Sequence, residues 1–398
     1  MASHILVGYL GPGDIFQDFV GAKELAAGRS MNPTANMRER VAYWLDREPL
    51  DSAGLPDWPA LGSLRASSLD SGARQLVVQA HPPFHIFLLA PLVKLCRSIQ
   101  RTYLAVTLVN IAAYVLLLLL LWRSTNLPAV VPAGAVALLC LLALDWQPFL
   151  ANLRQGQIGV VVALLVIGGW HCLSHDRPWP AGILIGLAAL IKMFPALLIV
   201  WLLLRNRRAF VAALGTVSVA VLLLYLTRGP GAFIDYFHAA QAVEANFGRA
   251  RNNSSLSSII SYVTGSPAAI FGDALLFGYA VFLMLRKRTP VLEFSSFVVL
   301  SCLLSPTSEA FYFPILLLPL ATVASEIRPT AMLAILICFS FPDQVVWRST
   351  ELLTPVLGDR VAWLLCSFPT FAMLALWYWT ARREPSSHES GPSIASLS

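Results

Sequence analysis

Charged side chains are scarce in this sequence. The chain has 398 residues, of which 13% are charged and 57% are hydrophobic, whereas a soluble globular protein carries about 25% charged residues. A composition so poor in charge indicates burial in lipid rather than one large water-soluble core. We therefore exclude an ordinary soluble domain and expect one membrane-embedded domain over residues 1–385, followed by a disordered polar tail over 386–398.

Motifs of soluble catalysis are also lacking. The six cysteines are scattered with no paired spacing, which argues against a disulfide framework and against a metal site. The sequence has no Walker loop, dinucleotide fingerprint or DxD motif. A donor that arrives in the lipid is therefore favoured over one that arrives through water. The net charge of +6 lies in short clusters between apolar runs, so membrane topology explains it better than nucleic-acid binding.

Long apolar runs are what the sequence has in abundance. A membrane span needs about 20 mainly apolar residues, and eleven runs approach that length, which predicts an all-α polytopic membrane protein of about 11 transmembrane helices. The candidate spans are 83–97, 102–122, 128–145, 156–173, 181–204, 209–227, 268–286, 290–304, 311–325, 330–347 and 360–380. The first, third, eighth and ninth are short or contain prolines, which is typical of tilted, broken or re-entrant segments.

Basic clusters set the expected orientation. With eleven spans, four Lys/Arg clusters fall on one side, which should be cytoplasmic. The segments 1–81, 228–267 and 348–359 then lie outside, the first two as large outer loops with short helices. An outer N-terminus without a signal sequence suggests a missing or misassigned start; one more helix would give twelve spans. The alternative is translocation of 1–81 by an unusual route.

The first polar candidates are two aspartates near the beginning of the chain. Asp14 and Asp18 are four residues apart and would share one face of a helix that stops at Gly28. Neighbouring carboxylates can separate each other's pKa values, so that one stays ionised as a general base. The alternative is a solvated amphipathic helix at the membrane surface.

A histidine and a lysine lie in otherwise apolar surroundings. His81 precedes two prolines at the outer mouth of the first run and could bind an acceptor or assist proton transfer, or be a plain interfacial histidine. His85 lies one turn further in. Lys192 lies near the middle of a span, where an unpaired ammonium costs at least ~2.5 kcal/mol, and Pro195 breaks the helix beside it. A lipid-linked phosphate is a natural partner; snorkelling to a carboxylate or carbonyl is the alternative.

Three further segments carry polar side chains at the membrane border. The amides of NLRQGQ suit a sugar or phosphate, or cap a helix end, and the donor-rich outer segment RARNNSS suits phosphate or sugar hydroxyls. Glu309 lies at the outer end of a span. The candidates in these segments are Gln155, Gln157, Arg249, Arg251, Asn252, Asn253 and Glu309.

The order of these segments resembles a known family. An early acidic helix is followed by HPPF, NLRQGQ, AALIKMFPALL, NNSSLSS and LSPTSE. This order is similar to that of the glycosyltransferase family 87 enzymes of the GT-C superfamily, which include mycobacterial α-1,2-mannosyltransferases that use polyprenol-phosphate-mannose. The likeness extends from residue 14 to about 320.

The resemblance implies a GT-C-like bundle and an inverting, metal-independent hexosyltransferase, with mannose as the first candidate sugar. It implies a polyprenyl-phosphate donor lying in the bilayer, a glycolipid or glycan acceptor, no further cofactor, and an active site on the outer face of the cytoplasmic membrane. The family's spacing from its base aspartate to a glycine assigns Asp14 as the base and leaves Asp18 as second choice. Lys192, with Arg249 or Arg251, would hold the departing phosphate, and Asn252 with the NLRQGQ amides would orient sugar or phosphate.

Two departures from the family pattern bear on these expectations. The helix that precedes the acidic loop is absent, and Ser305-Pro306 leads to Glu309 where the mannosyltransferases carry a functional histidine. Mannose specificity is therefore open; His81 or Glu309 could substitute. The eleven-span topology also places 154–157 near the cytoplasmic side, far from Asp14, unless the third span is re-entrant. A transporter or lipid flippase and an inactive scaffold are the rival interpretations.

Overall fold

Helices make up all the secondary structure of the described residues in the computed structural model. The structure describes residues 13–29, 81–124, 146–247, 253–264, 274, 277–278, 289–324, 327–341 and 343–382, and no strand occurs among them. The all-α class expected from the sequence agrees with this. The named helices are α1 (Gly13–Ala26), α2 (Pro83–Cys96), α3 (Ile99–Ser124), α4 (Gln147–Gln155), α5 (Gly159–Ser174), α6 (Pro178–Ile191), α7 (Ala196–Arg205), α8 (Arg207–Arg228), α9 (Gly231–Phe247), α10 (Leu256–Thr264), α11 (Pro290–Leu303), a 3-10 helix (Ala310–Leu316), α12 (Leu317–Val323), α13 (Pro329–Ser340), α14 (Asp343–Leu357), α15 (Asp359–Cys366) and α16 (Phe368–Arg382).

The helices α1, α2 and α3 form one packed group. Their apolar side chains share a buried cluster that includes Ile15, Ile86 and Val106. The helix α1 ends just before Gly28, whose φ of 71° is left-handed, as the sequence predicts for a helix stop. Because α1 packs mainly on α2, the acidic segment is held against the first apolar run instead of lying free on a surface.

The largest core lies between α5, α6, α7, α11 and the helices that follow Glu309. The helix α6 packs very closely along α8. The measure of this closeness is that a Cβ added to Gly182 of α6 would lie only 2.1 Å from the carbonyl oxygen of Ala209 of α8. Buried aromatic rings fill the other side, with Trp201 of α7 edge-on to Phe294 of α11. This core fixes the ends of α6 and α7, between which the lysine of the candidate site is located.

The predicted span 181–204 is interrupted in its middle. The helix α6 ends at Ile191, Lys192 is extended with φ −137° and ψ 134°, and α7 begins after Pro195. The break agrees with the sequence expectation, since Pro195 lacks the amide hydrogen that a continuous helix needs. Lys192 therefore projects from a helix terminus rather than from a continuous helix wall.

Two described helices are long and apolar enough to cross a membrane by themselves. They cover 99–123 of α3 and the whole of α8, while α15 and α16 form a bent pair with an angle of 49°. Other apolar helices have 10–17 residues, and the run 128–145 lies outside the described residues. The count of about eleven spans thus stays a prediction.

One predicted boundary near the C-terminus is wrong. The expected span 330–347 and outer loop 348–359 are instead the helices α13 and α14, with α15 beginning at Asp359. Pro342 lies between α13 and α14 in the sequence, where a proline ends the preceding helix. The polar residues that suggested a loop belong to α14, which combines them with exposed apolar residues such as Leu352 and Val356.

Candidate active site

The carboxylate of Asp18 is buried between two imidazoles. Its Oδ1 lies 2.5 Å from Nδ1 of His81 and its Oδ2 lies 2.9 Å from Nε2 of His85. Asp18 is 1% exposed, and both histidines are buried. The helix α1 supplies the aspartate. His85 lies in the first turn of α2, and His81 directly precedes Pro82, the N-cap residue of that helix.

Lys192 reaches the same group from the break between α6 and α7. Its Nζ lies 2.7 Å from Nε2 of His81 and donates to Oε1 of Gln157, also at 2.7 Å. Gln157 is fixed in turn because its backbone oxygen accepts a hydrogen bond from Asn110 of α3. We call Asp18, His81, His85, Gln157 and Lys192 the lysine cluster.

The hydrogen-bond partners assign the protons of His81. An ammonium has three donors and no acceptor, so Nε2 of His81 accepts from Lys192. The amide nitrogen of Gln157, another donor, lies 3.4 Å from the same Nε2. The ring proton of His81 therefore resides on Nδ1 and is donated to Asp18. In this arrangement a neutral imidazole connects a carboxylate to an ammonium inside the protein.

The electrostatics of the pair Asp18 and His81 follow from this burial. Both residues lie outside the two helices long enough to span a membrane. Burial by itself would raise the pKa of the Asp18 carboxyl, but attraction and hydrogen bonds from His81 and His85 outweigh it and hold the pKa well below its ordinary value. Burial lowers the pKa of His81; Asp18 opposes this, and the nearby charge of Lys192 lowers the pKa further. Asp18 is therefore ionised and His81 neutral near pH 7.

Aromatic rings enclose the ammonium on another side. Nζ of Lys192 lies 5.4 Å from the ring centroid of Phe311 and 5.2 Å from that of Tyr312, distances at which a ring face attracts a cation. The amide of Asn152 donates to the backbone oxygen of Phe311 and so attaches the 3-10 helix to α4. The segments NLRQGQ, IKMFP and EAFYF thus meet around one ammonium.

Gly156 allows α1 to approach this group. Its φ of 63° is left-handed, and a Cβ there would lie 2.5 Å from Cβ of Ile15. Only glycine combines this conformation with so close a contact. Since Gly156 directly precedes Gln157, the same turn places the amide of Gln157 beside Lys192 and the helix of Asp18 beside both.

Asp18, His81 and His85 also have the side-chain types of a metal site. Their donor atoms all lie within 4.8 Å of one another, and two histidines with a carboxylate are a common ligand set. A metal needs a free lone pair on each nitrogen that it binds. In His81 the lone pair of Nε2 already accepts from Lys192, so Nδ1 carries the proton. The nearby ammonium also repels a cation. The donor set therefore suits a hydrogen-bonded group better than a metal centre.

Asn253 lies in a different polar region. Its side-chain Nδ2 donates to the backbone oxygen of Pro306, and its Oδ1 accepts from the backbone amides of Ser255 and Ser308. We call Asn253 with its contacts to 306–308 the asparagine anchor. It joins the segment NNSSLSS to LSPTSE through backbone groups, although the sequence suggested a sugar or phosphate ligand here.

The other predicted candidates are placed as follows. Asp14 is in the first turn of α1, but the structure does not describe its side chain. Three further candidates lie outside the described residues: Arg249, Arg251 and Asn252. Gln155 is half-buried at the end of α4, and half-buried Glu309 directly precedes the 3-10 helix.

The expected distance of 154–157 from the acidic segment is wrong for Gln157. The eleven-span topology placed this residue near the cytoplasmic side, yet it contacts His81 and Lys192. The physical reason is packing: α4 ends at the left-handed turn of Gly156, against which Ile15 of α1 packs, so the next residue, Gln157, lies beside α1.

Sequence reasoning missed part of the group. It noted His85 without giving it a role, treated Tyr312 as an ordinary aromatic at a span end, and gave no role to Asn110 or Phe311. An asparagine within the apolar stretch VTLVNIAAYV was an available signal, because amides within such helices commonly hydrogen-bond to another segment. The two aromatic residues gave no such signal, since aromatic side chains are ordinary at span ends.

Comparison with known proteins gives matches of three kinds. The sequence model of the family described as Glycosyltransferase family 87 matches residues 80–306, which is more than half of the chain. A Mycobacterium tuberculosis protein named polyprenol-phosphate-mannose-dependent alpha-(1-2)-phosphatidylinositol mannoside mannosyltransferase is 35% identical over 156 residues, 36% of this chain and 35% of the relative. A Mycolicibacterium smegmatis protein of the same name is 38% identical over 72 residues, 18% of this chain and 16% of the relative.

These alignments cover limited parts of the relatives. The chain spans about a third of the length of the first relative and less of the second. The crystal structure of ArnT from Cupriavidus metallidurans in the apo state aligns with 96% of this chain and 76% of that chain, with a TM-score of 0.38 and 14% identity. A similarity that low supports no argument about fold or function, so the family match is what bears on identity.

Proposed function

The chain belongs to glycosyltransferase family 87, and we propose that it transfers a hexose, mannose first among the candidates, from a polyprenyl-phosphate donor to a glycolipid or glycan acceptor. The single observation that carries this proposal is the buried connection from Asp18 through His81 to Lys192. A carboxylate–imidazole pair next to an ammonium offers a proton acceptor and a phosphate ligand in one place. These are the two groups that such a transfer requires.

The proposed reaction is a single displacement. The acceptor hydroxyl oxygen attacks the anomeric carbon from the face opposite the phosphate, forming a glycosidic bond of inverted configuration. The bond between the anomeric carbon and the phosphate oxygen breaks, and its electron pair stays on the polyprenyl phosphate. The acceptor proton passes to the Asp18–His81 pair. Lys192 stabilises the negative charge that develops on the phosphate, an effect strengthened by its dry surroundings.

Asp18 is the carboxylate that the geometry favours over Asp14. Its contact with His81 joins it to Lys192, whereas Asp14 lies one helical turn earlier in α1. This reverses the order that the family spacing implied. Arg249, Arg251 and Asn252, which lie outside the described residues, stay proposed phosphate or sugar ligands, and Gln157 orients Lys192.

The setting of the site supports a donor that enters from the membrane. The helix α2 carries His85, α3 contacts Gln157 through Asn110, Lys192 directly follows α6, and α8 packs on α2 and α6. Many residues of these four helices are exposed apolar side chains, which suit a lipid-facing surface. We place the protein in the cytoplasmic membrane as a multi-pass protein with the site at the outer face. A polyprenyl chain would lie in lipid while its phosphate reaches Lys192.

A transfer assay with paired aspartate variants tests this function. The full chain is reconstituted in liposomes with polyprenyl-phosphate mannose and a glycolipid extract, and product is measured for the wild type, Asp18→Asn and Asp14→Asn. We expect Asp18→Asn to lose at least about 10²-fold in rate, the usual contribution of acid–base catalysis, and Asp14→Asn to lose much less. Equal and undiminished transfer in both variants would refute the carboxylate's role.

The same liposomes separate the enzyme from its rival class. Helices broken beside an ionisable group, as at Lys192–Pro195, also occur in secondary transporters. Movement of the lipid-linked sugar across the bilayer with no glycosidic product would favour a flippase.

A further inference from the structure

The two nitrogens of His81 face opposite partners. Nδ1 contacts Asp18, while Nε2 contacts Lys192 and lies near Gln157. We propose that Nε2 of His81 is the atom that takes the proton from the acceptor hydroxyl, with Asp18 as the positioning residue behind it. This inference rests on the proposed function and changes which atom of the pair performs the chemistry.

The geometry of Asp18 argues against direct proton transfer to the carboxylate. Each of its oxygens already receives an imidazole N–H, at 2.5 Å from His81 and 2.9 Å from His85. The aspartate is also almost fully buried, with 1% exposed. Two donors that favour the ionised form make a carboxylate a weaker base. What the arrangement does well is to hold an imidazole in one tautomer and to stabilise its protonated form, as an aspartate does behind a catalytic histidine.

The position of Nε2 argues for it as the proton acceptor. It lies 2.7 Å from Nζ of Lys192, which is the proposed ligand of the donor phosphate. The anomeric carbon is bonded to that phosphate through a single oxygen, so an acceptor hydroxyl attacking it lies on the opposite face of the same carbon. Nε2 is therefore close to the reacting atoms, whereas the Asp18 carboxylate lies on the far side of the ring.

Lys192 also controls when the nitrogen is available. In the structure an N–H of Lys192 occupies the lone pair of Nε2, so the base is blocked. A phosphate oxygen carries negative charge and accepts from an ammonium more strongly than a neutral imidazole does. Donor binding would draw Lys192 to the phosphate and release Nε2. The coupling makes the base competent when the sugar to be transferred is present, and thereby limits unproductive proton transfer.

The step balances without any further reactant. The acceptor O–H bond breaks and its proton forms a bond to Nε2, giving an imidazolium that donates from Nδ1 to ionised Asp18. The acceptor oxygen bonds to the anomeric carbon as the phosphate departs with its electron pair. Release of the polyprenyl phosphate frees Lys192, whose return next to the imidazolium favours loss of that proton to water.

His85 provides a matched control for His81. Both histidines are buried and both donate to Asp18, but the described contacts to Lys192 and Gln157 belong to His81. Replacing either by glutamine exchanges one imidazole beside the same carboxylate for an amide, which can still donate a hydrogen bond but does not act as a base near pH 7. We expect His81→Gln to lower kcat by about 10²-fold or more with little change in the KM for the donor. We expect His85→Gln to lower kcat less than tenfold.

A pH profile of the wild type tests the inference without relying on a variant. The ionisable groups that face His81 are Asp18 of α1, His85 of α2 and Lys192 at the break between α6 and α7. A histidine base predicts that kcat/KM falls on the acid side with an apparent pKa below the ordinary histidine value, since burial and Lys192 lower it. In Lys192→Met the charge that lowers this pKa is gone, so the acid limb should move to higher pH.

The outcomes separate this inference from the function on which it rests. If His81→Gln keeps wild-type kcat while Asp18→Asn loses it, the carboxylate is the base; the inference is overturned and the function stands. An acid limb that stays in place in Lys192→Met would also overturn it. If the wild type makes no glycosidic product from polyprenyl-phosphate hexose, the proposed function itself fails. A large loss in His81→Gln, a small one in His85→Gln and a shifted acid limb together support the inference.

Discussion

The lysine cluster and the asparagine anchor are both buried and polar, yet they are connected in opposite ways. In the lysine cluster, side chains contact other side chains across α1, α2, the turn after α4 and the break after α6. In the asparagine anchor, one amide contacts three backbone groups. The hydrogen bonds of Asn253 to backbone groups have no second arrangement to change to. The ammonium of Lys192 can instead move its hydrogen bond from the His81 imidazole to a better acceptor. The first region is therefore suited to chemistry and the second to holding segments together.

Replacement of the lysine should separate the two regions most strongly. We expect Lys192→Met to reduce the transfer rate by about 10²–10³-fold, the typical loss when a group that stabilises developing negative charge is removed. The measurement is product formation at saturating donor and acceptor. The exposed Lys94 at the end of α2 provides the control, since Lys94→Met should keep wild-type rate. A retained rate in Lys192→Met would remove the basis for calling the cluster a phosphate site.

A methyl group at Gly156 should damage the cluster without touching its polar atoms. Gly156→Ala incurs about 1–2 kcal/mol for the left-handed backbone and about 1–3 kcal/mol for the contact with Ile15. Since Ile15 is on α1, the displacement should also weaken the contact of Asp18 with His81 and reduce transfer. Thermal unfolding in detergent and the transfer assay measure the two effects.

Gly28→Ala is the matched control for that substitution. Gly28 has a φ of 71°, but a Cβ there meets nothing within 4 Å. It should therefore show the backbone effect alone and keep most of the activity. Equal activity losses in both glycine variants would show that the contact with Ile15 does not position the site.

The anchor should affect stability more than rate. Asn253→Ala removes hydrogen bonds to three backbone groups, each worth about 1 kcal/mol net, so we expect a lower unfolding temperature. The kcat of the protein that remains folded should stay within about threefold, because a group outside the reaction changes kcat little. A kcat loss as large as that of Lys192→Met, at unchanged unfolding temperature, would make Asn253 a substrate ligand, as the sequence first suggested.

Metal chelation should have the smallest effect. Because His81 uses Nε2 to accept from Lys192 and donates from Nδ1 to Asp18, we expect transfer to be unchanged after treatment with EDTA. Restoration of a chelator-sensitive rate by a divalent cation would instead assign Asp18, His81 and His85 as ligands.

The sequence allowed several of these residues to be named but left their contacts open. Lys192 stood out because an ammonium in an apolar run needs a partner, and Pro195 predicted the break beside it. The sequence did not reveal that the partner is a histidine located 111 residues earlier. The family spacing ranked Asp14 before Asp18, whereas the packing of α1 against α2 brings Asp18 to His81.

Counting spans along the chain gave the wrong surroundings for Gln157. It treated every apolar run as a span, so Gln157 was expected far from the acidic helix, although its amide lies at Lys192. A periodic or apolar pattern reports the environment of a segment, but it carries no information on whether that segment crosses the bilayer or turns back.

The sequence by itself determined the helical class, the family and the residues that are too polar for their surroundings, because composition and motif order are local properties of the chain. The tertiary structure alone decided that Asp18, His81, Gln157 and Lys192 form one group and that Asn253 does not belong to it. Hydrogen bonds of about 3 Å depend on how α1, α2 and the helix break pack in space. That packing depends on close contacts such as Ile15 on Gly156, which no spacing along the chain encodes.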